Sequence, residues 1–320
     1  MIHLFENNFD YKIIAFFGIM FSYILTCMLL RFTSDKLPKD GGRDFAHDGK
    51  LSAGKPRGAG FIFILVFTLS AIIFLPISTE IIVYLILTVA AMITGFLDDC
   101  AKSPWGEYRK GFLDLVISLM TAIAYTNFNS SNITIPFINL YVEIQPIIFI
   151  LLATILIWAS INVTNCSDGV DGLCGSLSII TLLTIYGLGN FIDNSRDFNY
   201  MILIMVSCIL GYLWFNATPS QMIMGDAGSR ALGLFISIAI LKTGSPLLYI
   251  PAAFMLILDG GLGLVKVSLL RFFKIRILTK TRTPIHDHVR KNLGWSNTQT
   301  MLKFSIIQLL ISFSLLWLYS

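Results

Sequence analysis

The chain of 320 residues is 55% hydrophobic and 13% charged, with a mean hydropathy of +0.76. So little charge cannot coat two soluble domains of ~150 residues, where roughly a quarter of the residues would be charged. The same arithmetic excludes a disordered chain and a nucleic-acid binder, since a net charge of +4 is too small to attract a polyanion. An integral membrane protein remains.

A spanning helix needs about 20 mostly apolar residues. Ten runs fit: 12–31, 58–76, 80–97, 111–128, 145–162, 172–190, 199–216, 229–246, 248–270 and 302–319. The expected fold is therefore all-α and polytopic, one integral membrane domain over 1–320 with about ten transmembrane helices. No secretory cleavage site follows the first run, so it is expected to stay as an anchor. Of the 23 Lys and Arg, all but Lys12, Arg196 and Lys242 fall on one side, in alternate connections or in the run ends that border them. The positive-inside rule makes that side cytoplasmic and turns both termini away from it. The five cysteines form no CxxC pair and the four histidines no HExxH, which argues against a disulfide framework and a zinc hydrolase. No internal repeat is visible, which disfavours a transporter built from inverted halves.

Acidic residues gather on the basic side, in short loops and at helix ends. A carboxylate at the edge of the hydrocarbon is costly without a partner and marks a functional site by default. The first block, Gly95-Phe-Leu-Asp98-Asp99, ends the third run and is followed by Lys102 and Arg109-Lys110. Adjacent carboxylates beside cations suit Mg²⁺, which takes one or two carboxylates and completes its shell with phosphates. A charged helix end in the headgroup zone is the ordinary alternative. In the second block Asn162, Asn165, Asp168 and Asp171 recur every three residues and run into Gly172. Asx turns explain one or two such residues but not four in phase. The third block runs from Asn216 through Pro219 to Met224-Gly225-Asp226-Ala-Gly228-Ser229 and opens the eighth run. Free N–H groups at a helix start favour a phosphate, and an N-cap would explain only one polar residue there. The fourth, Pro284-Ile-His286-Asp287-His288-Val-Arg290-Lys291 followed by Gly294-Trp295, sets two imidazoles around a carboxylate among cations. It reads either as a diphosphate-binding loop or as a solvated loop facing anionic lipid.

Together, over residues 36–297, these blocks resemble the polyprenyl-phosphate N-acetylhexosamine-1-phosphate transferases of glycosyltransferase family 4. Three features are similar to the phospho-N-acetylmuramoyl-pentapeptide transferase (MraY) branch. They are Asp40-Gly41 with His47-Asp-Gly-Lys50 and a Gly/Pro/Gly block at 54–60, the ten-residue step from Asn216 to Asp226, and the Pro-Ile-His-Asp-His…Gly-Trp loop. Departures from that branch are Asp287 for its middle histidine, Arg290 for an acidic residue and Gly-Lys-Pro-Arg-Gly-Ala-Gly for its GTPTMGG. Two more are Lys266 where the branch has Gln, and Asp259 where it has Glu, more like the WecA and TagO branches.

The resemblance implies Mg²⁺-dependent transfer of a sugar-1-phosphate from a UDP-N-acetylhexosamine donor to undecaprenyl phosphate, with release of UMP, in the bacterial cytoplasmic membrane. On the MraY branch the product is lipid I. A UDP-GlcNAc:undecaprenyl-phosphate GlcNAc-1-phosphate transferase is the second reading, and an ion-coupled transporter or lipid flippase the reading from another class. Carried over by position, Asp226 is the metal ligand with Asp99 beside it, and Asp98 and Asp99 orient or deprotonate the lipid phosphate. Asn162, Asn165, Asp168, Asp171 and Asn216 shape the nucleotide site, and Lys50, Lys110, His286 and His288 contact phosphate. The resemblance leaves a homodimer open. The expected geometry is one cytoplasmic cleft lined by Asp98, Asp99, Asp168 and Asp226. In the fourth block, Asp287 is expected to pair with Arg290 or Lys291, leaving His286 and His288 on one side of an extended loop.

Overall fold

The computed structural model describes residues 10–42, 52–101, 103–138, 140–191 and 196–320. Lys50, His47 and Lys102 lie outside them. Helices dominate: α1 (Tyr11–Thr33), α2 (Ala59–Phe74), α3 (Thr79–Asp99), α4 (Glu107–Phe128), α5 (Pro146–Cys166), α6 (Leu173–Phe191), α7 (Arg196–Asn216) and α8 (Gly225–Leu241). After a break come α9 (Tyr249–Ala252), α10 (Phe254–Leu256), α11 (Leu262–Phe273), α12 (Ile285–Leu293) and α13 (Asn297–Tyr319). Local chemistry sets the boundaries. Asp10 caps α1 by accepting the Lys12 N–H, Ser78 caps α3 through Ile81 N–H, and Ser296 and Gln299 form a reciprocal capping box on α13.

Among the described residues, seven helices are long and apolar enough to cross a membrane: α1, α3, α4, α5, α6, α7 and α13. The count reaches eight if the bent pair Pro246–Ala252 and Phe254–Phe273 is one span. Each of the ten expected runs is found as a helical segment, and α2 and α8 are the two that fall short of that length. The expected 58–76 run is the 16-residue α2. The expected 229–246 run begins earlier, at Gly225, and is the 17-residue α8. Every residue of α8 is buried, so its apolar character reflects a place at the centre of the bundle, mainly against α3 and α5. The expected 248–270 helix bends by 74°. Pro251 and the π turn Ile257–Gly261 interrupt its hydrogen-bond ladder. Gln308 of α13 repairs the break: its side-chain amide donates to the Pro251 and Ala252 carbonyls, and its Oε1 accepts Met255 N–H.

The fold is also not purely helical. A short antiparallel hairpin, β1 (Ile133–Ile135) with β2 (Leu140–Val142), fills the connection between α4 and α5. Outward faces of α1, α5 and α13 expose Phe16, Phe17, Leu151, Ile155, Phe313 and Trp317, an apolar exterior that suits lipid. Inside, α3 pins α8 at both ends. Glu80 in the first turn of α3 accepts from Lys242 Nζ (2.9 Å) at the end of α8, and Asp99 in its last turn meets the start of α8.

Candidate active site

The ends of α3 and α5 and the starts of α4 and α8 converge at one end of the bundle, and the carboxylates converge with them. Asp99 is wholly buried and acts as a cap for α8. Its Oδ1 accepts Asp226 N–H (3.1 Å) and its Oδ2 accepts Ala227 N–H (3.0 Å), two of the free donors at the helix start. Gly225 makes this approach feasible, because at φ 74° it takes a left-handed turn and any Cβ would stand 2.4 Å from Asp99 Oδ2. Asp98 turns the other way, accepting Trp105 N–H (2.7 Å) on Oδ1 and pairing with Lys110 through Oδ2. Lys110 Nζ also reaches Asp226 Oδ2 at 3.1 Å, so one ammonium joins Asp98 to Asp226.

A second cation closes the cluster. The 55–60 strap is held on both sides by backbone bonds: Arg57 N–H to Pro38 O (2.8 Å), Ile223 N–H to Pro56 O (2.8 Å) and Ala59 N–H to Ile223 O (3.1 Å). These deliver the Arg57 side chain to three carboxylates: Asp99 (2.8 Å), Asp226 (3.3 Å) and Asp40 (3.4 Å). Burial lowers the pKa of this guanidinium, but Asp99, Asp226, Asp40 and Asp168 more than offset it and raise it above the ordinary value. Arg230, one turn into α8, adds a third cation 3.7 Å from Asp226 and 3.3 Å from Asp114.

Asn162 and Asn165 stand on the last turns of α5, and Asp168 and Asp171 in the turn that follows. Asn165 donates to Ser229 Oγ (2.8 Å) on α8, and Asp168 is near enough to act on Arg57. The other polar residues of this region brace the fold. Asn162 donates to Trp158 O in its own helix, and Asp171 accepts from Ser220 N–H and Oγ. Asn216 bridges Gly172 N–H and Met222 O.

The 284–291 block is a helix, α12, and not the expected extended loop. Its punctuation explains this: Pro284 at the entry, Asp287 in the first turn, Arg290 and Lys291 in the last, and Gly294 at φ 69° past the end. His286 and His288 consequently do not share a side. His286 is buried, its N–H and Nδ1 each 2.8 Å from the fully buried Asp259, while its Nε2 occupies the space that a Cβ on Gly169 would need. His288 is half-buried and accepts Arg282 N–H at 3.4 Å. Asp287 pairs with Arg290 at 3.9 Å, as expected from the sequence.

No group of three or more His, Cys, Asp or Glu among the described residues forms a metal cage. Zinc is poorly served by this set, but Mg²⁺ is not, because it needs only one or two carboxylates and takes phosphate and water for the rest. Asp98 and Asp226, already joined through one cation, supply that pair. Arg57, Asp114, Arg230 and Asp259 were not expected in the site. A signal existed for two of them: Asp114 and Arg230 each interrupt an apolar run one turn after a residue that was expected there, Lys110 and Asp226.

Residues 81–244, just over half of the chain, match the family model described as glycosyl transferase family 4. A phospho-N-acetylmuramoyl-pentapeptide-transferase from Treponema pallidum (strain Nichols) is 41% identical over 93% of this chain and 86% of its own. Similarly named proteins from Symbiobacterium thermophilum and Clostridium botulinum (strain Alaska E43 / Type E3) are 31% and 30% identical, over 79% and 84% of this chain and 78% and 85% of their own. Matches of this extent, on a bundle of membrane-spanning helices with acid–base clusters at one end, establish that the chain belongs to glycosyl transferase family 4 and, within it, to the phospho-N-acetylmuramoyl-pentapeptide transferases, a family of phospho-sugar transferase enzymes.

Proposed function

We propose that the protein transfers phospho-N-acetylmuramoyl-pentapeptide from its UDP-linked donor to undecaprenyl phosphate, giving lipid I and UMP. The reaction takes place at the cytoplasmic face of the bacterial inner membrane, with both termini on the far side. One observation carries this reading: three carboxylates, Asp98, Asp99 and Asp226, are held against Lys110 and Arg57 at one end of an apolar bundle. An oxygen of the lipid phosphate attacks the β-phosphorus of the donor. The bond from that phosphorus to the bridging oxygen breaks, and UMP leaves with the electron pair. Two anions must meet, so the site has to offset their repulsion.

Mg²⁺, when bound, would neutralise phosphate charge and polarise the reacting diphosphate, with Asp226 as ligand and Asp98 beside it. Asp99 spends its oxygens on α8 and Arg57, which keeps Asp226 at the mouth of the site. Lys110 and Arg57 offer cations to the diphosphate and the leaving UMP. Asn165 and Asp168 border the same space, and His286 presents Nε2 toward it past Gly169. The test is to incubate purified protein with undecaprenyl phosphate, Mg²⁺ and either UDP-MurNAc-pentapeptide or UDP-GlcNAc, and to measure UMP. Release with the first donor alone is expected. Release with UDP-GlcNAc alone, or with neither donor, overturns the reading.

A further inference from the structure

Helices α4 and α8 face each other through four charged side chains arranged as a ladder. On α4, Lys110 and Asp114 are one turn apart, and on α8 so are Asp226 and Arg230. The first rung joins Lys110 to Asp226 (3.1 Å) and the second joins Asp114 to Arg230 (3.3 Å), with Arg230 also 3.7 Å from Asp226 along its own helix. The signs alternate around the ladder, so every close neighbour is opposite in charge. The rungs differ in exposure. Lys110 is 25% exposed at the mouth of the site, whereas Asp114 and Arg230 are each 2% exposed.

Stability does not explain the inner rung. Two buried charges are costly to desolvate, and an apolar pair of similar volume would often serve as well or better. The rung is also incompletely hydrogen-bonded: among the described residues, Arg230 Nε and Nη1 have no partner of good geometry, and Asp114 has the Asn162 side chain as its neutral neighbour. Neither side chain reaches the open cleft. What the rung does specify is register, because a buried pair between two helices can close at one offset only.

We propose that Asp114 and Arg230 are positioning residues whose buried pairing sets the register of Lys110 against Asp226. The proposal rests on the phosphosugar-transfer reading for its kinetic arm. Loss of Arg230 leaves Asp114 unbalanced, and the nearest cation to answer it is Lys110, one turn away on the same helix. Loss of Asp114 throws Arg230 wholly onto Asp226. Either way a cleft group is drawn out of place while the donor's own contacts remain.

The test is a cycle of Asp114→Asn, Arg230→Met and the double variant in the full-length protein. Each single change should lower kcat on the order of a hundredfold with donor KM held within about threefold, and the double variant should recover to within about tenfold of the parent. A ligand-free measurement accompanies it: the ¹³C-dimethyl-lysine resonance of Lys110, assigned by its loss in Lys110→Arg. It should move in Arg230→Met and return in the double variant. If the protein turns over neither UDP-sugar, the functional reading fails while this resonance still decides the ladder. A Lys110 resonance unmoved in Arg230→Met, or a folded double variant no more active than the worse single, overturns the proposal.

Discussion

Arg57 Nε lies 2.8 Å from Asp99 Oδ1, and that same oxygen accepts the backbone N–H of Asp226. One carboxylate thus ties a cation from the 55–60 strap to the first turn of a helix 169 residues away from it in sequence. The bond is charge-assisted and largely buried, the class of hydrogen bond that contributes most. It makes the strap part of the site and not a cover over it.

Removing Arg57 should therefore affect both folding and turnover. Arg57→Ala strands Asp40, Asp99 and Asp226 without a shared cation, and buried charged groups left unpaired cost about 3 kcal/mol or more. The expected outcome is a fall in kcat on the order of a hundredfold together with a lower unfolding midpoint. Arg57→Lys should restore only part of each, since an ammonium cannot span three carboxylates as a planar fork does. UMP release and thermal unfolding in detergent check both. Full activity in Arg57→Lys would show that charge alone matters.

The two adjacent aspartates should separate. Asp99 caps α8, so Asp99→Ala should cost about 1–2 kcal/mol from the cap alone, and more from Arg57, along with activity. Asp98 meets Lys110 and one loop N–H, so Asp98→Asn should abolish most turnover while the unfolding midpoint stays within about 3 °C. Parallel melting curves and UMP assays on the two variants decide it. Equal loss of stability in both would show that the pair acts as one structural unit.

Much of this site is legible in the sequence because charge at the end of an apolar run has few innocent explanations. Asp98, Asp99 and Asp226 stand out on that ground alone, and they converge as expected, with Lys110 set between Asp98 and Asp226. Arg57 does not, since its three partners come from distant segments and no local spacing encodes a pairing made by backbone bonds to Pro38 and Ile223. Asp114 and Arg230 were readable in principle, as charges inside apolar runs that require partners. For the fold, the apolar runs locate the helices well. Apolar length alone does not separate a lipid-facing helix such as α13 from α8, which is enclosed by other helices. The break at Ala253 depends on Gln308, whose role is invisible until α13 packs beside it.

Metal dependence gives a third test. Chelation should stop UMP release, and added Mg²⁺ should restore it. Asp226→Asn keeps the size of the side chain and some hydrogen bonding but removes the charge a hard cation requires. It should lower turnover on the order of a thousandfold without loss of folding, and excess Mg²⁺ should not rescue it. Near-normal, Mg²⁺-dependent activity in this variant would transfer the ligand role to Asp98.

The histidines of α12 give the last. In a helix of 3.6 residues per turn, positions two apart point roughly 200° from each other, so one of the two must face away. His286 faces in: its Nδ1 is fixed by Asp259 and its Nε2 lies against Gly169, beside Asp168. His288 sits on the outer side against Arg282, and Asp287 is paired with Arg290. His286→Ala would strand the buried Asp259, so loss of activity there could come from misfolding alone. His286→Asn is the sharper variant, because its amide can still donate to Asp259 while the Nε2 position is lost. It should melt close to the parent and lose on the order of a hundredfold in kcat/KM for the UDP-linked donor. His288→Ala and Asp287→His should each stay within about fivefold, since neither position faces the carboxylate cluster. A His288→Ala variant as impaired as His286→Asn, at limiting as well as saturating donor, would mean that α12 turns its other face to the substrate when the donor binds.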